Sequence, residues 1–221
     1  MKRLRDAFLE KITKVVPFKD KQVLEIGCGD GARTLQIAQL CTHVTGIDPD
    51  IQAIRSAQNL DINNAEFVRG FANILPFRNL TFDIAFFTLS FHHIAQQHLY
   101  TSIDEALRVI KSNGHIIFLE PAFKGSFFEA EIKFDAGDGD ERKEKALAYA
   151  TMLSHSGLKE IAELWDKTVF SFDSFEDFID SMKPKQGTSE AMCVFLGTHA
   201  RTLTAERRIN IFTPLHTEQT H

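Results

Sequence analysis

The chain has 221 residues, 43% hydrophobic and 25% charged, with a formal net charge of −5, which fits one globular domain with a sizeable core. The acidic balance argues against a dedicated nucleic-acid surface, normally basic, and no stretch approaches the ~18–20 apolar residues of a membrane span. The start lacks the apolar core of a secretory signal, and Cys28, Cys41 and Cys193 have neither metal nor redox spacing, so a reducing cytoplasm is the simple expectation.

Residues 3–16 carry Leu4, Phe8, Ile12 and Val15/Val16 at helical spacing, predicting a basic amphipathic helix that Pro17 ends. From 22 to 119 the pattern alternates between strand and helix, as in a doubly wound parallel sheet. Strands are expected at 22–26, 43–47, 66–69, 83–87 and 115–119, and helices at 31–40, from 50 onward, and at 96–111. Asn113-Gly114 read as a left-handed stop to the last of these helices. Residues 122–140 read as a connection whose acids, from Asp135 to Asp140, lack calcium-loop spacing; Asp140 or a neighbour is expected to cap a helix over 141–156. Two further strands, 168–172 and 208–212, enclose helical patterns near 174–182 and 189–203. Twenty phenylalanines against two tyrosines and one tryptophan point to a Phe-packed core.

The stretch Val23-Leu24-Glu25-Ile26-Gly27-Cys28-Gly29-Asp30-Gly31 breaks a strand at three alternate glycines just before a helix. Glycine lets a backbone approach a ligand that a Cβ would hold off, and a helix start offers free N–H groups. The next strand ends on Asp48, where a carboxylate suits a ribose diol at the carboxyl edge of a parallel sheet. Glu25 is a charge beside a core strand, expected only where it meets polar atoms.

Together, V-L-E-I-G-C-G-D-G and G-I-D-P resemble the S-adenosylmethionine-dependent methyltransferases with the Rossmann-like fold, nearest the small-molecule branch that includes the ubiquinone/menaquinone C-methyltransferases. The likeness continues through 82–93 and 107–116 and covers roughly 22–121. It implies an α/β, doubly wound, mostly parallel seven-stranded sheet with strand 7 antiparallel and helices on both faces. One domain would span 1–221: an N-terminal helix over 1–21, a cofactor core over 22–121, and insertions at 122–140 and 173–206 covering the substrate cleft.

By the resemblance, Gly27, Gly29 and Gly31 lie against the methionyl part of S-adenosyl-L-methionine, with Cys28 a small filler and Glu25 orienting the loop. Asp48, followed by Pro49, accepts the ribose hydroxyls, Ala72 lies beside the adenine, and Thr88-Leu89 face the ligand's amino group. Relatives usually carry an acid where this chain has Phe71, so adenine would be held by apolar packing. His92 and His93 are candidates for a base or a substrate hydrogen bond; Glu120, and Phe8 on the N-terminal helix, are substrate candidates. The implied reaction is an in-line methyl transfer to a small molecule without a metal, in a monomer or homodimer with no nucleic-acid partner. Two alternatives remain open: an NAD-dependent dehydrogenase, because Gly27-x-Gly29-x-x-Ala32 fits a loose dinucleotide fingerprint, and a ligand-binding fold relative without turnover.

Overall fold

A computed structural model describes residues 1–5 and 7–215. In chain order the elements are β1 (Lys2–Arg5), α1 (Phe8–Ile12), β2 (Gln22–Ile26), α2 (Thr34–Ala38), β3 (His43–Asp48), α3 (Ile51–Gln58), β4 (Ala65–Arg69) and β5 (Phe82–Thr88). They continue with α4 (Leu99–Val109), β6 (Ile110–Pro121), α5 (Ser126–Phe134), α6 (Arg142–Ser154), β7 (Leu158–Ser171), α7 (Phe175–Met182), α8 (Ser189–Thr198) and β8 (Thr202–Pro214). The strands form one eight-stranded sheet in the order β1-β7-β8-β6-β5-β2-β3-β4. Strands β2 to β6 pair in parallel, and β8 runs antiparallel to β6 and β7.

The central strands are buried on both faces, as parallel strands under helices must be. Leu24, Ile26, Phe87 and Phe118 fill one face, and Val23, Ile84, Phe86 and Ile117 the other. The phenylalanines pack as expected: Phe87 and Phe118 stack with centroids 4.8 Å apart, and Phe91 meets both edge-on. After β2 the chain builds outward through β3 and β4, then returns to place β5 on the other side of β2. That reversal opens a crevice beyond the strand ends, where such sheets bind ligands.

Several expectations need correction. The first residues are not helical: Lys2–Arg5 add a strand to the edge of β7, with Lys2 opposite Ser171, because the long β7 leaves a row of backbone groups to be paired. Only Phe8–Ile12 is helix, and Phe8 is fully buried against Phe86, so it is a core residue and not a substrate contact. Gly114 makes no left-handed stop. It lies inside β6, where a Cβ would come within 2.8 Å of the Asp83 carbonyl and 2.9 Å of the Lys111 carbonyl; close backbone approach demands the glycine. Lastly, β7 and β8 run far beyond the short apolar segments, since exposed charges such as Lys159 and Glu163 mask their alternation.

The segment read as a bare connection contains α5, and Asp140 Oδ1 accepts the backbone N–H of Arg142 at 3.2 Å at the start of α6. Helices α5, α7 and α8 close a third apolar cluster of their own, including Phe134, Phe172, Phe178, Met182 and Phe195.

Candidate cofactor and acceptor site

The turn after β2 needs its glycines for two different reasons. Gly27 has φ +77°, and a Cβ there would meet the Ser90 Cβ at 2.1 Å. Gly29 has φ +54°, and its Cβ would find nothing within 4 Å, because it would point into open space at the sheet's crevice. One glycine admits a protein neighbour; the other keeps a cradle clear. Asp48 at the end of β3 locks this turn: its Oδ2 accepts the Gly29 N–H and its Oδ1 the Asp50 N–H, both at 2.9 Å. A carboxylate has about four acceptor positions, so two remain for a diol. Cys28 is buried with its thiol pushed up by burial, and its sulfur fills the space that Gly46 leaves.

Glu25 supports the turn from beneath. It is fully buried and accepts the hydroxyls of Thr34 at 2.5 Å and Thr88 at 2.7 Å, tying the start of α2 to the end of β5. Burial pushes its carboxyl up to about 7, opposed by those two hydroxyls and Arg33. A carboxyl that holds its proton more tightly when folded contributes stability that is complete below its unfolded pKa and lost as pH rises through the folded one. We expect Glu25→Gln to retain, between about pH 5 and 8, on the order of 3 kcal/mol that the wild type loses, measured by urea unfolding at both pH values. Equal pH slopes would show that Glu25 ionises without penalty.

Above the turn lies a cavity of about 790 Å³. Gly27, Cys28, Gly29, Asp48, Pro49, Phe71, Ala72, Thr88 and Leu89 all line it, while Gly31 is buried below, against Leu60 and Ala57. Phe71 is 53% exposed and faces this space beside Ile74, so it is not turned into the core. Leu89 takes φ +56°, with its N–H donated to the Leu119 carbonyl at 2.8 Å. Sequence reasoning missed Ser90, Asn73 and His98, which also line the cavity. Ser90 donates to the Ile26 carbonyl at 2.5 Å; its place two residues after β5, inside the resembled stretch 82–93, was the available signal. Asn73, on the turn after β4, and His98, on the 3₁₀ turn Gln96–His98, meet at 3.4 Å, which no local pattern foretells.

His92 and His93 sit on one 3₁₀ turn after β5 and play unequal parts. His92 is buried, its Nδ1 paired with the Glu120 carboxylate, which also accepts the Phe91 N–H at 3.0 Å. His93 is half-exposed at the cavity rim. Its pKa is raised, chiefly by the hydrogen bond with Glu141, whose own carboxyl is held down to about 2 by His93 and Lys145 against the opposing effect of burial.

A smaller cavity of about 220 Å³ borders the first and shares Arg33, Leu89 and His93 with it. Its walls include Phe127 and Phe128 from 122–140, Met1 and Arg3 from the N-terminal strand region, and Phe170. From 173–206 only Ala205 and Glu206 reach it, and no residue of that segment lines the larger cavity.

The reversed strand order, glycine turn and strand-end carboxylate make a Rossmann-like fold, and residues 24–118 match the methyltransferase domain family. Among curated relatives, an uncharacterized methyltransferase of Synechocystis is 31% identical over 42% of this chain and 44% of its own length. A fatty-acid O-methyltransferase of Mycolicibacterium smegmatis is 28% identical over 74% of this chain and 56% of its own. The chain spans about half the length of the curated relatives it matches. A SAM-dependent methyltransferase of Aquifex aeolicus superposes with a TM-score of 0.53 at 16% identity, covering 90% of this chain and 88% of that one. The cofactor this fold implies is S-adenosyl-L-methionine. The clear cradle at Gly29 and the free acceptor positions of Asp48 fit it.

Proposed function

We propose that this chain transfers a methyl group from S-adenosyl-L-methionine to a small-molecule acceptor. The observation that carries the reading is the single cavity onto which Gly29, Asp48, Thr88 and Leu89 converge at the sheet's reversal point. The bound cofactor supplies a methyl group already activated on a sulfonium, so the transfer itself needs no metal. The chain's residues bind, orient and exclude water, and well-oriented reactions gain up to about 7–11 kcal/mol in this way. Asp48 would hold the ribose and the glycine turn the methionyl part. Leu89 and His93 stand between this cavity and the smaller one, which we assign to the acceptor. His93 lies where its imidazole could hydrogen-bond a bound acceptor, while buried His92 and Glu120 hold the turn that carries it.

The family match and the relatives' names favour this reading over a nicotinamide dehydrogenase or a ligand-binding relative without turnover. Among the described residues no helix is long and apolar enough to cross a membrane. Calorimetry with S-adenosylmethionine and NAD in parallel tests the cofactor: tighter binding of NAD, or of neither, would refute the proposal. Formation of S-adenosylhomocysteine across a panel of carboxylate, phenol and quinone-type acceptors then tests turnover.

At the end of the cavity that would take the adenine, Phe71 stands where the family resemblance implies an acid. We expect Phe71→Asp to tighten cofactor binding by about 0.5–1.5 kcal/mol, the net value of one hydrogen bond, with little change in stability because the side chain is exposed. Unchanged affinity would place adenine away from this loop.

A further inference from the structure

Beside the cofactor cavity, His92, His93 and Glu141 each offer one donor atom within 4.8 Å of the other two. His92 Nε2 lies 3.7 Å from Glu141 Oε2, and His93 Nδ1 lies 3.3 Å from Glu141 Oε1. Ligands about 2.0–2.2 Å from a tetrahedral ion stand roughly 3.3–3.6 Å from one another. Each imidazole nitrogen therefore already stands about one such edge from a Glu141 oxygen, His92 from Oε2 and His93 from Oε1.

We propose that His92, His93 and Glu141 bind a divalent transition-metal ion of the Zn²⁺ type. Adjacent residues on a 3₁₀ turn set the two imidazoles side by side, with ring centroids 4.0 Å apart, and the start of α6 brings Glu141 across to them. His92 has the outer support that metal-ligating histidines use. Its Nδ1 is tied to the buried Glu120, which fixes the ring and leaves Nε2 to the ion. Glu120 is itself pinned by the Phe91 N–H. The Oε2 atom of Glu141 is buried and makes no hydrogen bond, although Lys145 Nζ lies 3.2 Å away. That ammonium opposes a cation; the Glu120 carboxylate, with Asp138 acting on His93, offsets it.

The same three side chains line an open cavity of about 570 Å³ that shares His93, Ile94 and Ala95 with the cofactor cavity. Three protein ligands leave a fourth position open toward solvent, the arrangement of a reactive and not a purely structural ion. Two imidazoles and one carboxylate suit Zn²⁺ or Co²⁺ and not Mg²⁺ or Ca²⁺, which prefer oxygen alone.

The test uses the full chain, stripped with a chelator and dialysed. Zn²⁺ is titrated in competition with a chromophoric chelator, and Co²⁺ is added separately to record its absorption spectrum. The expected result is one Zn²⁺ per chain, a rise in Tm with Zn²⁺, a Co²⁺ spectrum of a low-coordinate N/O site, and no response to Mg²⁺. Glu141→Gln and His93→Ala, both off the main core, should each weaken Zn²⁺ by at least about tenfold. Sub-stoichiometric binding with an unmoved wild-type Tm overturns the site, as does Zn²⁺ binding that both variants leave unchanged. No readout contains S-adenosylmethionine, so the result stands apart from the methyltransferase reading.

Discussion

Gly29→Val is expected to abolish measurable S-adenosylmethionine binding while leaving a folded protein. The glycine holds φ +54° with nothing within 4 Å of where a Cβ would stand, so the isopropyl group has room in the ligand-free protein. The backbone strain of a branched residue in that region is about 1–3 kcal/mol, a tolerable loss for a domain of this size. The occupied volume is the cradle itself, and the ligand would have to leave it. A hundredfold weakening or more, about 2.7 kcal/mol, is the expected calorimetric result. Gly27→Ala is the contrasting variant: its Cβ would press on Ser90 at 2.1 Å, so it should reduce stability first and binding only as a consequence. Asp48→Ala removes the acceptor of the Gly29 and Asp50 N–H groups. Losing hydrogen bonds to a charged group costs roughly 1.5–3 kcal/mol, about ten- to a hundredfold in affinity. Wild-type affinity in both Gly29→Val and Asp48→Ala would move the cofactor out of this cavity.

The second large effect is on stability. Glu120 and His92 form a buried pair at the end of β6, and Glu120 is also the acceptor for the Phe91 N–H. Glu120→Ala leaves the imidazole and a backbone donor buried without that carboxylate. Removing one partner of such a pair costs about 3–5 kcal/mol, measured as a lowered urea midpoint with unchanged m. Glu120→Gln, which keeps the shape and an acceptor oxygen for Phe91, should lose clearly less. If Glu120→Ala falls by under about 1 kcal/mol, water reaches the pair and the burial argument fails.

How much of this was legible from residue order depends on the range of the forces involved. The glycine turn, Asp48 at a strand end and the alternation of strand and helix over 22–119 are local backbone demands, visible as glycine positions and apolar periodicity. The phenylalanine-rich core was legible for the same reason, since alternate residues of a buried strand face opposite layers. Other features wait on partners remote in the chain. Lys2–Arg5 became a strand because β7 offered an edge, overriding a helical apolar stripe, and Phe8 packed into the core against Phe86. The helices of 173–206 packed on α5 and formed a small core, so that of the segment expected to cover the substrate cleft only Ala205 and Glu206 line the smaller cavity, an outcome that depends on which apolar faces meet. Glu141 reached His92 and His93 only through the packing of α6 against their turn. Sequence by itself determined the local geometry that can hold a nucleotide-like ligand; tertiary structure decided which distant charges and faces came together, because backbone preference acts over a few residues and burial acts over the whole chain.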